Sequence, residues 1–136
     1  MVVGGNDGDY CRHFAEKALA TLGADRFEMI PHCGREELNV LFNGADVALY
    51  TVPAISVFEV LGAGLPCILP RTGSLAHVTA ETEMAVSYSD FVEADLPERV
   101  QAWDLSQAAR VDRARKAAEL FGWRSIAERL LTFIND

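Results

Sequence analysis

Ser56-Val57-Phe58-Glu59-Val60-Leu61-Gly62-Ala63-Gly64-Leu65-Pro66-Cys67-Ile68-Leu69 is the stretch on which the fold of this chain turns. It reads as a helix with a buried acid, a glycine stop and a following strand, with Gly64 and Pro66 as the punctuation. Pro66 and Pro70 bracket Cys67-Ile68-Leu69, an apolar run short enough for a buried strand. Immediately upstream, Val47-Ala48-Leu49-Tyr50 is a nearly all-apolar strand of the kind covered on both faces in a parallel sheet, and it leads through Pro53 into the helix.

The same alternation extends outward. Val2-Val3 before Gly4-Gly5 predicts a strand end, and Tyr10 to Leu22 carries Phe14, Ala18, Leu19 and Leu22 at helical spacing before Gly23. Phe27 to Ile30 predicts a strand closed by Pro31, and Leu38, Leu41 and Phe42 a helix stopping near Gly44. Ala85-Val86-Ser87-Tyr88 is a further strand. From about Leu96 the pattern is helical only. Leu105, Ala109 and Ala114 lead to Leu120-Phe121; after Gly122 come Trp123, Ile126, Leu130, Leu131 and Ile134. The expectation is an α/β fold: a Rossmann-like, doubly wound parallel sheet of about five strands with two C-terminal helices. No repeat, low-complexity segment or Gly/Ser linker divides residues 1–136, so one domain is expected. The chain enters strand character at Met1-Val2-Val3 without a lead-in, which suggests a truncated beginning.

Composition narrows the function classes. A formal charge of -8 disfavours a nucleic-acid groove or an anionic membrane surface, both of which need clustered Lys and Arg. No apolar run approaches the ~20 residues of a membrane helix. Cys11, Cys33 and Cys67 are an odd count at wide spacing, neither a disulfide framework nor a metal pair, and a reducing cytosol fits them best.

In a doubly wound fold, ligands sit beyond the carboxyl ends of the strands, here at Gly4 to Asp9, Pro31 to Gly34, Thr51 to Ser56 and Pro70 to Ser74. The third loop feeds a helix whose first amides, from Ile55, Ser56 and Val57, favour an anion such as a diphosphate. Glu59, one turn in, can accept hydrogen bonds from the vicinal hydroxyls of a ribose. Plainer readings stand beside these. Ser56 and Glu59 spell a capping box. Gly4-Gly5-Asn6-Asp7-Gly8 is a turn and not a dinucleotide fingerprint, so no cofactor is expected. His13, His32 and His77 lack metal-ligand spacing, and no metal is expected. Arg71 either leans toward a phosphate or is solvated. Arg110, Arg113, Arg115 and Lys116 read as a charged outer helix face, and Trp123 as a packing anchor.

These residues, in this order, resemble the donor-binding, C-terminal domain of GT-B glycosyltransferases, especially the large retaining family 4. The likeness rests on Val2 to Gly8, Arg35-Glu36-Glu37-Leu38 through Asp46-Val47-Ala48-Leu49, Glu59-Val60-Leu61-Gly62-Ala63-Gly64-Leu65-Pro66, Gly73 and Phe121-Gly122-Trp123. The resemblance implies that Glu59 holds the ribose of a UDP- or GDP-sugar and that Ile55 and Ser56 contact the diphosphate. It further implies that Pro31, His32 and Cys33 line the base, and that Gly73 lets the chain approach the sugar. Thr51 stands where the family places its first acid, at the transferred sugar, and His77 where a glutamate often follows the glycine turn. The family's preceding strand, with its diphosphate-neutralising Arg and Lys, and its N-terminal acceptor domain have no counterpart here. A gap is therefore expected between the strands at Val2-Val3 and Val47 to Tyr50. Two alternatives share the architecture: an inverting glycosyltransferase of cell-wall lipid precursors, and a non-catalytic binding or regulatory module.

Overall fold

Two parallel strands cannot be joined by a tight turn; each pair needs a crossover, and a helix is the usual one. The computed structural model, which describes residues 1–5, 8–71, 73–89 and 96–135, follows that rule throughout. The chain divides into two compact units, Met1–Leu41 and Phe42–Asp136.

The first unit holds β1 (Val2–Gly5), α1 (Asp9–Leu22), β2 (Met29–Pro31) and the start of α2 (Arg35–Gly44). β1 and β2 are parallel, pairing Val2 with Met29 and Val3 with Ile30. α1 ends at Gly23, whose φ of 86° lies in the left-handed region and whose amide donates to the Leu19 carbonyl. Phe27 is buried in this unit, and the Phe14 ring meets it edge-on at 6.1 Å. The helical stripe foreseen on α1 forms, but no residue of that helix is fully buried.

The second unit continues with β3 (Ala48–Leu49), α3 (Ser56–Gly62), β4 (Cys67–Pro70), a 3-10 turn over Gly73–Leu75, α4 (Ala76–Glu81) and β5 (Ala85–Tyr88). It closes with α5 (Leu96–Gln101), α6 (Gln107–Phe121) and α7 (Trp123–Asn135). β4 is the centre of a parallel sheet, pairing Cys67 with Ala48 on one side and with Ala85 on the other. Val57, Val60, Leu61, Leu65, Cys67, Leu69, Leu75, Val78, Met84, Ala85 and Ala117 form its continuous core.

The α/β architecture is as read from the sequence, with one correction to its sheet. The five strands form two parallel sheets, β1–β2 and β3–β4–β5, in place of a single one. Apolar patterning identifies a strand but carries no information on which edge it pairs with. α4 is an addition, a six-residue helix whose single inward turn left little periodicity to detect. α5 likewise precedes the two closing helices.

The end of α3 explains the Gly-Ala-Gly-Leu-Pro signal. The Leu65 amide donates to the Val60 carbonyl at 3.1 Å and the Gly64 amide to the Leu61 carbonyl at 2.9 Å, the paired bonds of a Schellman stop. Gly64 adopts φ 72° to make the turn. Leu65 and Val60, the residues such a stop brings into contact, both lie in the core.

Two sequence expectations fail on α6 and α7. Arg110 and Arg113 do not lie on an outer face. The Arg110 guanidinium donates to the carbonyls of Ala63 at 3.0 Å, Asn43 at 3.2 Å, Ala45 at 3.1 Å and Phe42, and Arg113 donates to the Gly64 carbonyl at 2.9 Å. These are the exposed C-terminal carbonyls of α2 and α3, where a cation is favoured by the helix dipole. Arg115 and Lys116 do face outward, pairing with Asp112 and Glu119. Trp123, expected as a packing anchor, is 85 % exposed.

Cys67 sits at the heart of the sheet, and burial pushes its thiol from an ordinary 9.0 up to about 12. Above pH 9 the unfolded chain therefore releases a proton that the folded chain retains, so stability is full below that point and falls as pH rises. From pH 9 the loss is about 1.4 kcal/mol per pH unit. Cys67→Ala should flatten that fall between pH 9 and 10, below the range where Tyr50 begins to contribute, read as the urea midpoint against pH. An equally steep slope in the variant would show that the thiol is not its source.

Candidate functional site

Because β3, β4 and β5 run parallel, their carboxyl ends share one edge of the second unit's sheet. Tyr50 follows β3 there, Tyr88 ends β5, and the 3-10 turn starting at Gly73 follows β4. The two tyrosines organise that edge. The Tyr88 hydroxyl donates to the Tyr50 carbonyl at 2.8 Å, and the Tyr50 hydroxyl donates to Ser56 Oγ at 3.2 Å. The first bond ties β5 to β3, and the second ties β3 to the first turn of α3. The Arg71 amide adds a backbone bond to the Tyr88 carbonyl at 2.7 Å.

Burial pushes the Tyr50 phenol from 10.0 up to about 12; the Ser56 bond opposes the rise, and the nearby Cys67 and Glu59 reinforce it. The phenol is thus a proton-bearing donor at any physiological pH. With one Ser56 lone pair taken by Tyr50, the serine keeps its own O–H to donate elsewhere.

Glu59 lies in the first turn of α3 and is exposed, which corrects the expectation of a buried acid. The helical register turns Val57, Val60 and Leu61 into the core and leaves Glu59 on the opposite side. Nor is Ser56 the helix cap. The N-cap position is Ile55, without a side-chain capping bond, so the capping-box reading does not describe this helix start. The amides of Val57 and Phe58 donate to the carbonyls of Ala54 and Ile55 at 3.2 and 3.1 Å. Val57 is therefore withdrawn from the expected anion contacts, and the amides of Ile55 and Ser56 are the ones the turn leaves over.

Thr51 and Ile55 are exposed in the β3–α3 loop, and Ser56 is half-buried. The structure thus gathers Thr51, Ile55, Ser56 and Glu59 around one crossover, with Gly73 after the neighbouring strand. A Cβ at Gly73 would meet nothing within 4 Å, so packing does not demand glycine there and the space above it is open. Pro31, His32 and Cys33 lie in the first unit at the carboxyl end of β2; Pro31 and His32 are exposed and Cys33 half-buried. The following Gly34 amide donates to Glu37 Oε2 at 2.9 Å, which secures the start of α2.

His77 is exposed on α4, stacked on Phe58 at 6.1 Å and edge-on to Phe121. Among the described residues, no group of His, Cys, Asp and Glu is arranged to hold a metal ion, and no helix is long and apolar enough to cross a membrane.

A cavity of about 650 Å³ opens elsewhere, beside Met84, Trp103, Asp104, Arg113 and Lys116. Met84 precedes β5, which puts this hollow at the amino edge of the sheet, opposite the predicted site. Two of its cations are already engaged: Lys116 pairs with Asp112 at 3.0 Å and Arg113 donates to the Asp104 carbonyl at 2.7 Å. The chemistry anticipated from the sequence lies at the carboxyl edge, away from this hollow.

Tyr50 and Tyr88 were not anticipated as site residues. The signal was a tyrosine at the carboxyl end of each of two strands of aliphatic or small residues, a position from which a phenol hydroxyl can reach a neighbouring loop. No family model, curated protein or solved structure matches the chain.

Proposed function

We propose that this chain is the donor-binding part of a glycosyltransferase of GT-B architecture, taking a UDP- or GDP-linked sugar in the cytosol and working with an acceptor-binding domain. The observation that carries the reading is the exposed Glu59 carboxylate at the first turn of α3, beside the Tyr50–Ser56 hydroxyl pair. Glu59 accepts from the vicinal hydroxyls of the ribose. The amides of Ile55 and Ser56, with the Ser56 hydroxyl, donate to the diphosphate. As the glycosidic bond to phosphate breaks, negative charge builds on the leaving diphosphate, and donors fixed beforehand stabilise it without reorganising. Thr51 offers a hydroxyl in place of the family's acid to the transferred sugar, and open space above Gly73 admits it. The role of Pro31, His32 and Cys33 at the base rests on the sequence resemblance alone.

Calorimetry with UDP and GDP tests this. Glu59 bonds of about 1.5 to 3 kcal/mol make Glu59→Gln or Glu59→Ala weaken binding roughly tenfold to a hundredfold. Unchanged affinity would remove Glu59 from the site. If saturation-transfer NMR detects neither nucleotide on the unaltered chain, the donor reading falls. The non-catalytic module then takes its place, a reading that the missing carboxylate at Thr51 favours.

A further inference from the structure

α7 carries most of its apolar side outward, with Ile126 half-buried. Residues 123, 126, 127, 130, 131, 133 and 134 fall within an arc of roughly 160° at helical spacing, while its polar residues occupy the rest of the circumference. It is the polar side that meets α6: the Ser125 hydroxyl donates to the Ala118 carbonyl at 3.4 Å, and Arg129 donates to the Leu120 carbonyl at 2.6 Å. Trp123, Phe133 and Ile134 are left 85 %, 82 % and 73 % exposed, with Leu130 and Leu131 more than half so.

Those five side chains hold on the order of 800 Å² of surface, against roughly 300 to 600 Å² for the largest apolar patch of an ordinary monomer. About 800 Å² per partner is also what a stable protein pair buries. We infer that α7 is a self-association surface, on which a second copy of this chain lays its own α7 antiparallel about a two-fold axis near residue 129.

Three features select a second copy. The patch matches in area what one side of a stable pair covers. An unbroken apolar face is complementary to itself, as an isologous contact requires. The antiparallel arrangement also brings Arg124, near the start of one α7, over the last turn of the other, where the carbonyl end of the helix dipole is negative. A parallel pair would set the two Arg124 side by side. The surface is separate from the β3–α3 crossover, so the inference stands whatever the outcome with nucleotides.

Sedimentation velocity on the full chain, from about 1 to 100 µM, tests it across the micromolar range expected of a pair of this area. The expected result is a shift from monomer to twice that mass. Leu130→Glu should raise the dissociation constant at least tenfold, and Arg124→Glu should raise it by a smaller factor, roughly threefold to tenfold, by reversing the charge at the partner's helix end. Both positions are on the outside of α7, and unchanged circular dichroism would confirm that each variant folds. A monomer at every concentration, association past the dimer, or a dimer indifferent to Leu130→Glu would each overturn the inference. The first of these results would leave the face to a different protein or to a lipid surface.

Discussion

Gly64→Ala should cost at least about 3 kcal/mol of folding stability, among the largest losses available to a single methyl group in this chain. Two penalties add. The residue turns the chain at φ 72°, where an L side chain costs roughly 1 to 2 kcal/mol. Its Cβ would also fall on the Arg110 carbonyl, with the carbonyl carbon 2.9 Å away. That obstacle is backbone in the first turn of α6, so relief means pushing α6 off α3 and opening the core that Val57, Val60 and Ala117 form. Gly62→Ala, two residues earlier, is the control: a Cβ there meets nothing within 4 Å, and alanine is the better helix former by about 1 kcal/mol. Urea unfolding should therefore show a loss at residue 64 and no loss, or a small gain, at residue 62. Equal effects at the two glycines would refute the close approach of α3 and α6.

Arg110→Met should lose about 2 to 4 kcal/mol while nearly preserving the volume of the stem. The guanidinium serves four carbonyls, from Phe42, Asn43, Ala45 and Ala63, and methionine leaves all four without that donor. Arg110→Lys should recover only part of the loss, because one ammonium cannot reach the ends of two helices as a planar fork does. Arg115→Met offers the comparison on the same helix. Its partners are the exposed carboxylates of Asp112 and Glu119, and such surface pairs contribute about 0 to 1 kcal/mol. Matching urea midpoints for the two methionine variants would show that Arg110 is not a strut.

The crossovers were legible because their signals are local. Gly64 and Pro66 announce a helix stop that the Schellman bonds then realise, and β4 and β5 fall within a residue of their expected positions. α4 escaped because a six-residue helix completes under two turns, too few for a 3.6-residue period to register. Arg110 was misread for a different reason. Its surroundings in sequence, with Asp112, Arg115 and Lys116 at helical spacing, describe a solvated face, while its partners lie 47 to 68 residues away. Trp123 illustrates the same limit: periodicity detects an apolar face but does not say whether this chain covers it. At the site, the position of Glu59 on the β3–α3 crossover could be read from the motif, but its exposure depends on which side of α3 meets α6. The hydroxyl pairing of Tyr50 with Ser56 was hidden because it joins a strand end to a helix start across a loop.

The arginines of α6 that hold the helix ends together act on neutral dipoles, not on carboxylates, and this sets how the chain responds to its medium. Dissolved electrolyte weakens attraction between opposite ions at the surface, but it shields much less the hydrogen bonds that Arg110 and Arg113 give to the Ala63 and Gly64 carbonyls at the partly enclosed clamp. What it does shield is the repulsion among 20 acidic side chains that only 12 basic ones offset. Brine should accordingly suit this protein better than dilute buffer.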